Sequence, residues 1–416
     1  MKLRRVVVTG IGALTPLGNN LEEYWDSLIK GVSGADSITN FDASKFKTQF
    51  ACEVKGFNPT DFFDRKEVRK YDPTTQFGIV VADQAVKDAG ISTETMDPER
   101  IGVIWGSGIG GLKTFFDEVS AFATGNGVPR FNPFFIPKMI ADITGGHISI
   151  KHGFMGPNFT TVSACASSAN AMADAFNYIR LGKADVFVTG GSEASINEAG
   201  VGGFNAMHAI STRNDNPKAA SRPFDKHRDG FVIGEGGGAL IFEELEHALA
   251  RGAKIYAEVG GAGLSGDAHH MTAPHPEGKG AYKSMLDAVN DAELNVEDVN
   301  HINTHGTSTP VGDIAEPKAI VALFGDKVNN VFINSTKSMT GHLLGAAGAI
   351  EAIATIMTVK NNIIPPTINF EERDPDIPEL NFVFNKAVET EVNAAISNTF
   401  GFGGHNASLL FKKFKP

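Results

Sequence analysis

The sequence predicts an α/β protein, and three observations carry that prediction. Short apolar, β-branched runs alternate with longer runs of helical spacing along the whole chain. Several strand-like runs end directly in glycine, where chains turn tightly or pack closely. The two halves also echo one another: Arg5–Gly12 and Lys254–Gly261 are both apolar strands running into glycines, and the segment around Cys165 resembles Val331–Val359.

The elements follow in order. Strands are expected at Arg5–Gly10, Ile101–Trp105, Phe159–Ser163, Val186–Gly190 and Gly238–Glu243, each a β-branched or aromatic run. A second set is expected at Ile255–Gly260, His301–Thr304, Val331–Ser335, Asn381–Phe384 and Ala395–Asn398. Helices are expected near Asp72–Ala89, Ser167–Leu181, Glu244–Ala250, Ala281–Ala292, Pro317–Leu323 and Leu344–Val359. The echo divides the chain near residue 252, into halves 1–252 and 253–416. No low-complexity linker separates them, so they are expected to pack as one unit.

Composition excludes several classes of function. The 416 residues are 42% apolar and 20% charged, an ordinary globular balance with enough chain for a large core. A net charge of −11 argues against a nucleic-acid partner, which needs a basic face. Two cysteines, Cys52 and Cys165, cannot make a disulfide framework, and a reducing, cytoplasmic setting is expected. The basic start is followed by an apolar run that ends at Thr9-Gly10, too short for a signal-peptide core. No uninterrupted apolar stretch is long enough to span a membrane.

Cys165 is the most informative residue. A β-branched run precedes it, and the small-residue run after it reads as the start of a helix that stops at Gly182. That position predicts a thiol favoured as thiolate by a helix dipole. His305 and His342 sit in matching settings, each after a strand and flanked by glycine and hydroxyl residues. Strand ends are where ligand sites gather in α/β sheets, so the three side chains are expected to share one site. Lys337 lies in a small, uncharged segment, and Glu351 lies on a following helix that is otherwise apolar. Burying either alone would be costly, so the two are expected to pair. The segment Gly106–Gly111 formally matches G-x-G-x-x-G. No acidic residue ends a second strand at the right distance, which favours tight backbone packing over a dinucleotide site. His269, His270 and His275 are not spaced as metal ligands, and no metal catalysis is expected. The stretch Ser397–Asn406 alternates phenylalanine with glycine. That pattern suggests free backbone N–H groups and a hydrophobic gate at Phe400 and Phe402.

At Val162–Ser168, His305–Pro310, Ser335–Gly348 and Ser397–Asn406 the chain resembles the β-ketoacyl-[acyl-carrier-protein] synthases, the condensing enzymes of type II fatty acid synthesis. The likeness covers essentially the whole length. Asn303–Thr309 and His270–Pro274 are most similar to the long-chain form, synthase II. The resemblance implies a thiolase-like five-layered α-β-α-β-α fold of two similar halves, a homodimer, and acyl carrier protein as partner in its acyl and malonyl forms. It implies a decarboxylating condensation with Cys165 as nucleophile and His305 and His342 as donors to the enolate. Lys337 would pair with Glu351 behind His342, and the backbone N–H groups of Cys165 and Phe402 would form the oxyanion hole. Phe402 would swing as a gate together with Phe400. Thr307 and Thr309, with Thr272, would hold the pantetheine, and Ile109, Phe135 and Phe204 would line the acyl pocket. Lys66, Arg69 and Lys70, spaced for one helix face, would receive the carrier with help from Arg130. Phe131 and His208 stand where the family has other basic residues. No cofactor is implied beyond the phosphopantetheine of the substrates. Asn303, Glu351, Ser397 and Asn398 fall where some members hold a monovalent cation.

Three other readings compete. A thiolase needs a second catalytic cysteine near the C-terminus, and Cys52 is far too early. A Cys-His hydrolase has no need of a second histidine donor or a phenylalanine-glycine gate. A non-catalytic chain-length subunit would lack the nucleophile.

Overall fold

The structure is a computed structural model that describes residues 3–415. Its main sheet has ten strands: β1 (Val6–Leu14), β2 (Ile101–Gly106), β3 (Asn158–Thr161), β4 (Val186–Glu193), β5 (Gly236–Glu244), β6 (Ala257–Gly266), β7 (His301–Asn303), β8 (Phe332–Asn334), β9 (Ala394–Gly401) and β10 (His405–Lys412). The spatial order is β8-β7-β9-β10-β6-β1-β5-β4-β2-β3. Two five-stranded arrays of the same order and strand sense lie side by side. In each, the last strand is antiparallel both to the first strand and to its neighbour on the other side (β4 and β9), and the two remaining pairs are parallel. They join where Val6–Val8 of β1 pairs with Ala257–Val259 of β6.

Helices α1 (Arg65–Val68), α2 (Pro73–Ala89), α3 (Leu112–Thr124), α4 (Ser167–Arg180), α5 (Lys279–Asp291), α6 (Gly312–Phe324) and α7 (Ala347–Asn361) complete what positions the site. Helix α2 covers the outside of the first array and α5 the outside of the second. Helices α4 and α7 pack on each other between them and touch both. The result is five layers, α-β-α-β-α, made of two similar halves.

The glycine-ended strands have a physical cause. A Cβ on Gly10 or Gly12 would lie 2.3 Å from the Ala85 carbonyl oxygen or 2.0 Å from that of Val81, both on α2. The second half repeats this, with 2.3 Å from Gly261 to Ala288 and 1.9 Å from Gly263 to Ser284, both on α5. Each first strand therefore meets its outer helix backbone to backbone. Helix α7 is buried from Ala347 to Val359, as an all-round apolar helix must be. Its alanines let α4 approach around Ala169, Met172, Ile350 and Ile353.

Several elements differ from expectation. Asn381–Phe384 makes only isolated parallel bridges, to Ile333 of the edge strand β8 and to Thr367, because its pairing with β8 is limited to the bonds around Ile333. Strand β10, not anticipated, returns from the glycine-rich loop and pairs with both β9 and β6. Helix α3 was hidden because Phe115, Val119 and Phe122 are exposed, so its apolar face does not point to the core.

Candidate active site

Cys165 stands in a tight turn, Ala164–Ala166, that precedes α4. Ala164 has φ +51°, a left-handed conformation that costs a non-glycine residue energy and places the sulfur at the sheet edge. The turn is held by Ser167, whose Oγ accepts from the Ser163 N–H (2.9 Å) and donates to the Ala164 carbonyl (2.7 Å). Seven per cent of Cys165 is exposed, and its sulfur faces a cavity of about 440 Å³.

His305 and His342 meet it there. His342 Nε2 lies 3.0 Å from Cys165 Sγ, and one donor atom from each of the three residues falls within 4.8 Å of the others. The two imidazoles stand edge to face, 5.3 Å apart. Each is fixed through its backbone. The carboxylate of Glu316 on α6 accepts from the N–H of His305 and of Gly306, both at 3.0 Å. His342 donates its N–H to Val232 (2.7 Å) and accepts from Gly234 (2.9 Å), and the Phe231 ring packs on its edge.

Electrostatics set the protonation states. Burial, reinforced by the positive Lys337, holds both imidazoles well below the usual histidine range, so they are neutral N–H donors at neutral pH. Burial also pushes the Cys165 thiol up to about 11, against the lowering influence of Lys337 and of the Phe402 N–H. Burial therefore works against the thiolate that the helix start favours, and Lys337 and the Phe402 N–H offset only part of it. Lys337 and Glu351 are each 1% exposed and form an ion pair, with the Glu351 carboxyl raised to about 7 by burial. Lys337 lies in a buried helical turn, Lys337–Thr340, rather than in a loop.

The glycine-phenylalanine stretch is the β9–β10 hairpin. Phe402 sits at its tip beside Gly403 and Gly404, whose φ values of +89° and +73° only glycine takes readily. A Cβ on Gly401 would come within 3.1 Å of the Cys165 nitrogen, so the hairpin lies directly against the nucleophile turn. Phe400 and Phe402 both line the cavity, and the Phe400 ring is 5.8 Å from that of His305. Thr272, Thr307 and Thr309 line the cavity as well. The hydroxyls of Thr307 and Thr309 share a 3.0 Å hydrogen bond across Ser308, whose φ of +67° turns both to the same side.

Ile109 and Phe204 line the cavity, but Phe135 does not. It stacks on the Phe131 ring at 5.4 Å, on the outward apolar face that also holds Phe115 and Phe122. Lys66, Arg69 and Lys70 are exposed, but the helix carrying them is a single turn, α1, with Arg69 at its C-cap and Lys70 beyond. The Lys70 ammonium lies 5.9 Å over the Phe134 ring. Arg130 is exposed on the loop before it.

Asn303, Glu351, Ser397 and Asn398 converge at one corner of β7, β9 and α7. Ser397 Oγ has no hydrogen-bond partner among the described residues, and the Glu351 carboxylate has only its ion pair with Lys337. The Asn303 oxygen, however, accepts from Thr336 N–H (3.4 Å) and the Asn398 oxygen from Ser408 Oγ (2.7 Å). Each amide oxygen keeps a second lone pair beside the unpartnered Ser397 Oγ, so these four side chains are the ones that would hold a monovalent cation, and no step of the reaction is routed through it.

Glu193 is the residue that sequence reasoning missed. It ends β4, is fully buried, and accepts from the N–H groups of Gly108 (2.7 Å), Ile109 (3.2 Å), Gly110 (3.3 Å) and Gly345 (3.0 Å). The first three belong to the G-x-G-x-x-G segment, whose donors are thus already occupied by the protein's own carboxylate. A lone acid ending a strand of small and apolar residues, Thr189-Gly-Gly-Ser-Glu193, was the available signal.

Residues 3–248 match the family model described as Beta-ketoacyl synthase, N-terminal domain, and residues 256–371 the one described as Beta-ketoacyl synthase, C-terminal domain. The chain belongs to the β-ketoacyl synthase family. It is 48% identical over 415 residues, covering 100% of this chain and 99% of the other, to a Synechocystis sp. protein named 3-oxoacyl-[acyl-carrier-protein] synthase 2. A solved β-ketoacyl synthase from Burkholderia phymatum superposes with a TM-score of 0.91 at 34% identity, covering 99% of this chain and 100% of that one. A type II PKS acyl-carrier protein in complex with its ketosynthase bound to the hexaketide gives a TM-score of 0.89 at 32% identity, with coverage of 99% and 100%.

Proposed function

We propose that this β-ketoacyl synthase catalyses the decarboxylating Claisen condensation of an acyl group on Cys165 with malonyl-[acyl-carrier protein], as the type II synthase of fatty acid elongation. One observation carries the reading: a thiol and two neutral imidazoles share one cavity with donor atoms within 4.8 Å of one another. Acylation forms a bond between Cys165 Sγ and the acyl carbonyl carbon and expels the carrier's pantetheine sulfur. Overall the thiol proton passes from Cys165 to that sulfur. The oxyanion formed on the way is held by the N–H groups of Cys165 and Phe402.

Malonyl-carrier then binds with its pantetheine against Thr307 and Thr309, with Thr272 beside them. Loss of carbon dioxide leaves an electron pair in an enolate, whose oxygen takes hydrogen bonds from His305 and His342. Neutral donors suit this step because they stabilise the oxygen without protonating the carbon. The enolate carbon attacks the thioester, the carbon–sulfur bond breaks, and Cys165 takes up a proton. Lys337 and Glu351 position the His342 segment. Phe402, with Phe400, gates the acyl chain, which lies along Ile109 and Phe204.

The carrier protein is the proposed partner, received at Lys66, Arg69, Lys70 and Arg130; the ketosynthase seen with its carrier supports this. A homodimer is the proposed assembly. Strand β3 ends the sheet order as an open edge, and Phe115, Phe122 and Phe131 are exposed as an apolar face. No helix among the described residues is long and apolar enough to cross a membrane. We assign the reaction to the cytoplasm and give it no cofactor beyond the substrates' phosphopantetheine.

Incubation with acyl-carrier and then malonyl-carrier tests the function. Mass spectrometry is expected to show a stable acyl adduct on Cys165 and then a product two carbons longer, with both lost in Cys165→Ala. Release of free acid alone would mark a hydrolase, and no adduct at all a chain-length subunit.

A further inference from the structure

We propose that Cys165, His305 and His342 also form a reversible site for one thiophilic divalent cation of the zinc class, and that its occupancy closes the nucleophile to acylation. The inference goes beyond the condensation and does not depend on it, because it needs only the three donor atoms and the space in front of them.

Cysteine sulfur and imidazole nitrogen are both zinc ligands, and three protein ligands with a fourth position open to solvent are the plan of catalytic zinc sites. Metal–sulfur bonds of about 2.3 Å and metal–nitrogen bonds of about 2.0–2.1 Å place tetrahedral donors roughly 3.3–3.6 Å apart. Here the sulfur and His342 Nε2 are 3.0 Å apart, and all three donors lie within 4.8 Å. Separations of that size bracket the tetrahedral values, so small side-chain rotations reach them while the backbones stay fixed by Glu316 and by Val232–Gly234. The cavity, which all three residues line, supplies a water or chloride as fourth ligand.

The surroundings also limit the affinity. Metal at Nε2 leaves the proton on Nδ1, and the Nδ1 atoms of both histidines are buried with no hydrogen-bond partner among the described residues. Dedicated metal sites support that second nitrogen, and losing such support typically costs about 10–100-fold in affinity. The positive Lys337 opposes a second cation, although its pairing with Glu351 offsets part of that repulsion. A site so built binds and releases. Binding breaks the S–H bond, sends its proton to solvent, and forms one sulfur–metal and two nitrogen–metal bonds, with no change in oxidation state.

Anaerobic titration of the full chain with Co²⁺ alone is the direct test. One equivalent is expected to give a thiolate-to-cobalt charge-transfer band and the visible bands of four-coordinate cobalt, and Zn²⁺ should then displace it. Cys165→Ser should abolish the charge-transfer band. His305→Asn and His342→Asn should each weaken binding about tenfold or more, while Cys52→Ser should change nothing. On the unmutated protein, bound Zn²⁺ should slow iodoacetamide alkylation of Cys165 at least about tenfold, reversibly on chelation, a readout that stands even where a variant misfolds. A charge-transfer band that survives Cys165→Ser, histidine variants that bind as tightly as the parent, or alkylation that Zn²⁺ leaves unchanged would each overturn the site.

Discussion

The turn at Ala164-Cys165-Ala166 has a counterpart in the other half, at Leu344-Gly345-Ala346. Both turns begin with a left-handed residue, Ala164 at φ +51° and Leu344 at φ +49°, and both run straight into a central helix. One carries the nucleophile and the other carries no side chain at all. The structure shows why. A Cβ on Gly345 would lie 2.1 Å from the Gly108 nitrogen and 2.6 Å from Glu193 Oε2. The second turn is pressed against the first half, so that its preceding segment can carry His342 to the sulfur. Keeping the register through the helices, Glu351 on α7 stands where α4 has Ala171. The two halves share a backbone plan, but only one spends its turn on a nucleophile, and only the other carries the buried Lys337–Glu351 pair and the two site histidines.

The buried charge is where this comparison breaks most readily. Lys337→Met is expected to cost about 3–5 kcal/mol, because it leaves Glu351 buried and unpaired. Adding Glu351→Leu, which makes α7 resemble α4, is expected to recover much of that loss. Denaturant melts of the single and double variants measure both. The single variant should also slow alkylation of Cys165, since Lys337 lowers the thiol pKa. A single variant as stable as the parent would show that the pair is not what holds the His342 segment.

Gly345→Ala sharpens the comparison at its tightest point. The new methyl would meet backbone rather than a flexible side chain end, so the turn must shift, at about 1–3 kcal/mol or more. The variant should lose condensation beyond its loss of stability, because the shift moves Gly108 and Ile109 at the cavity wall. Single-turnover elongation at a temperature where the variant stays folded would show it. The mirror change, Cys165→Gly, should fold well and have no condensing activity.

Glu193 ties the second turn, at Gly345, to the Gly108–Gly110 segment of the first half, and its effect is smaller and depends on pH. Burial outweighs its four N–H partners and raises its carboxyl from 4.5 to about 7. An acid raised in the folded state binds more protons folded than unfolded between those values. Its contribution is therefore complete below about pH 4.5 and falls as pH rises toward about 7, then stays level. Glu193→Gln fixes the neutral form, so the variant should gain on the parent across that window, by about 1–2 kcal/mol after relaxation. Because Glu316 and Glu351 titrate near 7 as well, the measurement is the difference between parent and variant melting curves across pH. A difference flat in pH would show that Glu193 does not titrate in this range.

The legibility of the chain follows the same contrast. Strand-ending glycines signalled close backbone packing, and the structure meets it where β1 touches α2 and β6 touches α5, because only a missing side chain permits such an approach. Cys165, His305, His342 and the Lys337–Glu351 pair were readable because each is chemically unusual in a small or apolar segment. Glu193 was not singled out, since its partners are backbone groups from Gly108–Gly110 and Gly345 that no residue pattern brings together. The upward push of burial on the thiol was also hidden, because burial is a property of the assembled pocket and not of the helix start. Phe135 was harder to place for a related reason: a large apolar residue reads alike whether it faces the cavity of its own chain or, as here, an outward apolar face.

The smallest effect expected is at the surface of the first half, in a comparison of charge. The molecule carries −11 overall, yet Lys66, Arg69 and Lys70 crowd one exposed turn, capped by Asp64 through the N–H groups of Lys66 and Glu67 (both 2.8 Å). Such a patch raises the encounter rate with an acidic partner without touching the chemistry. Arg69→Glu with Lys70→Glu should therefore raise KM for carrier substrates several-fold and leave kcat and stability unchanged. The loss should shrink at high salt, where screening already weakens the parent's attraction. A fall in kcat with KM unchanged would move the role of this turn from docking to the reaction itself.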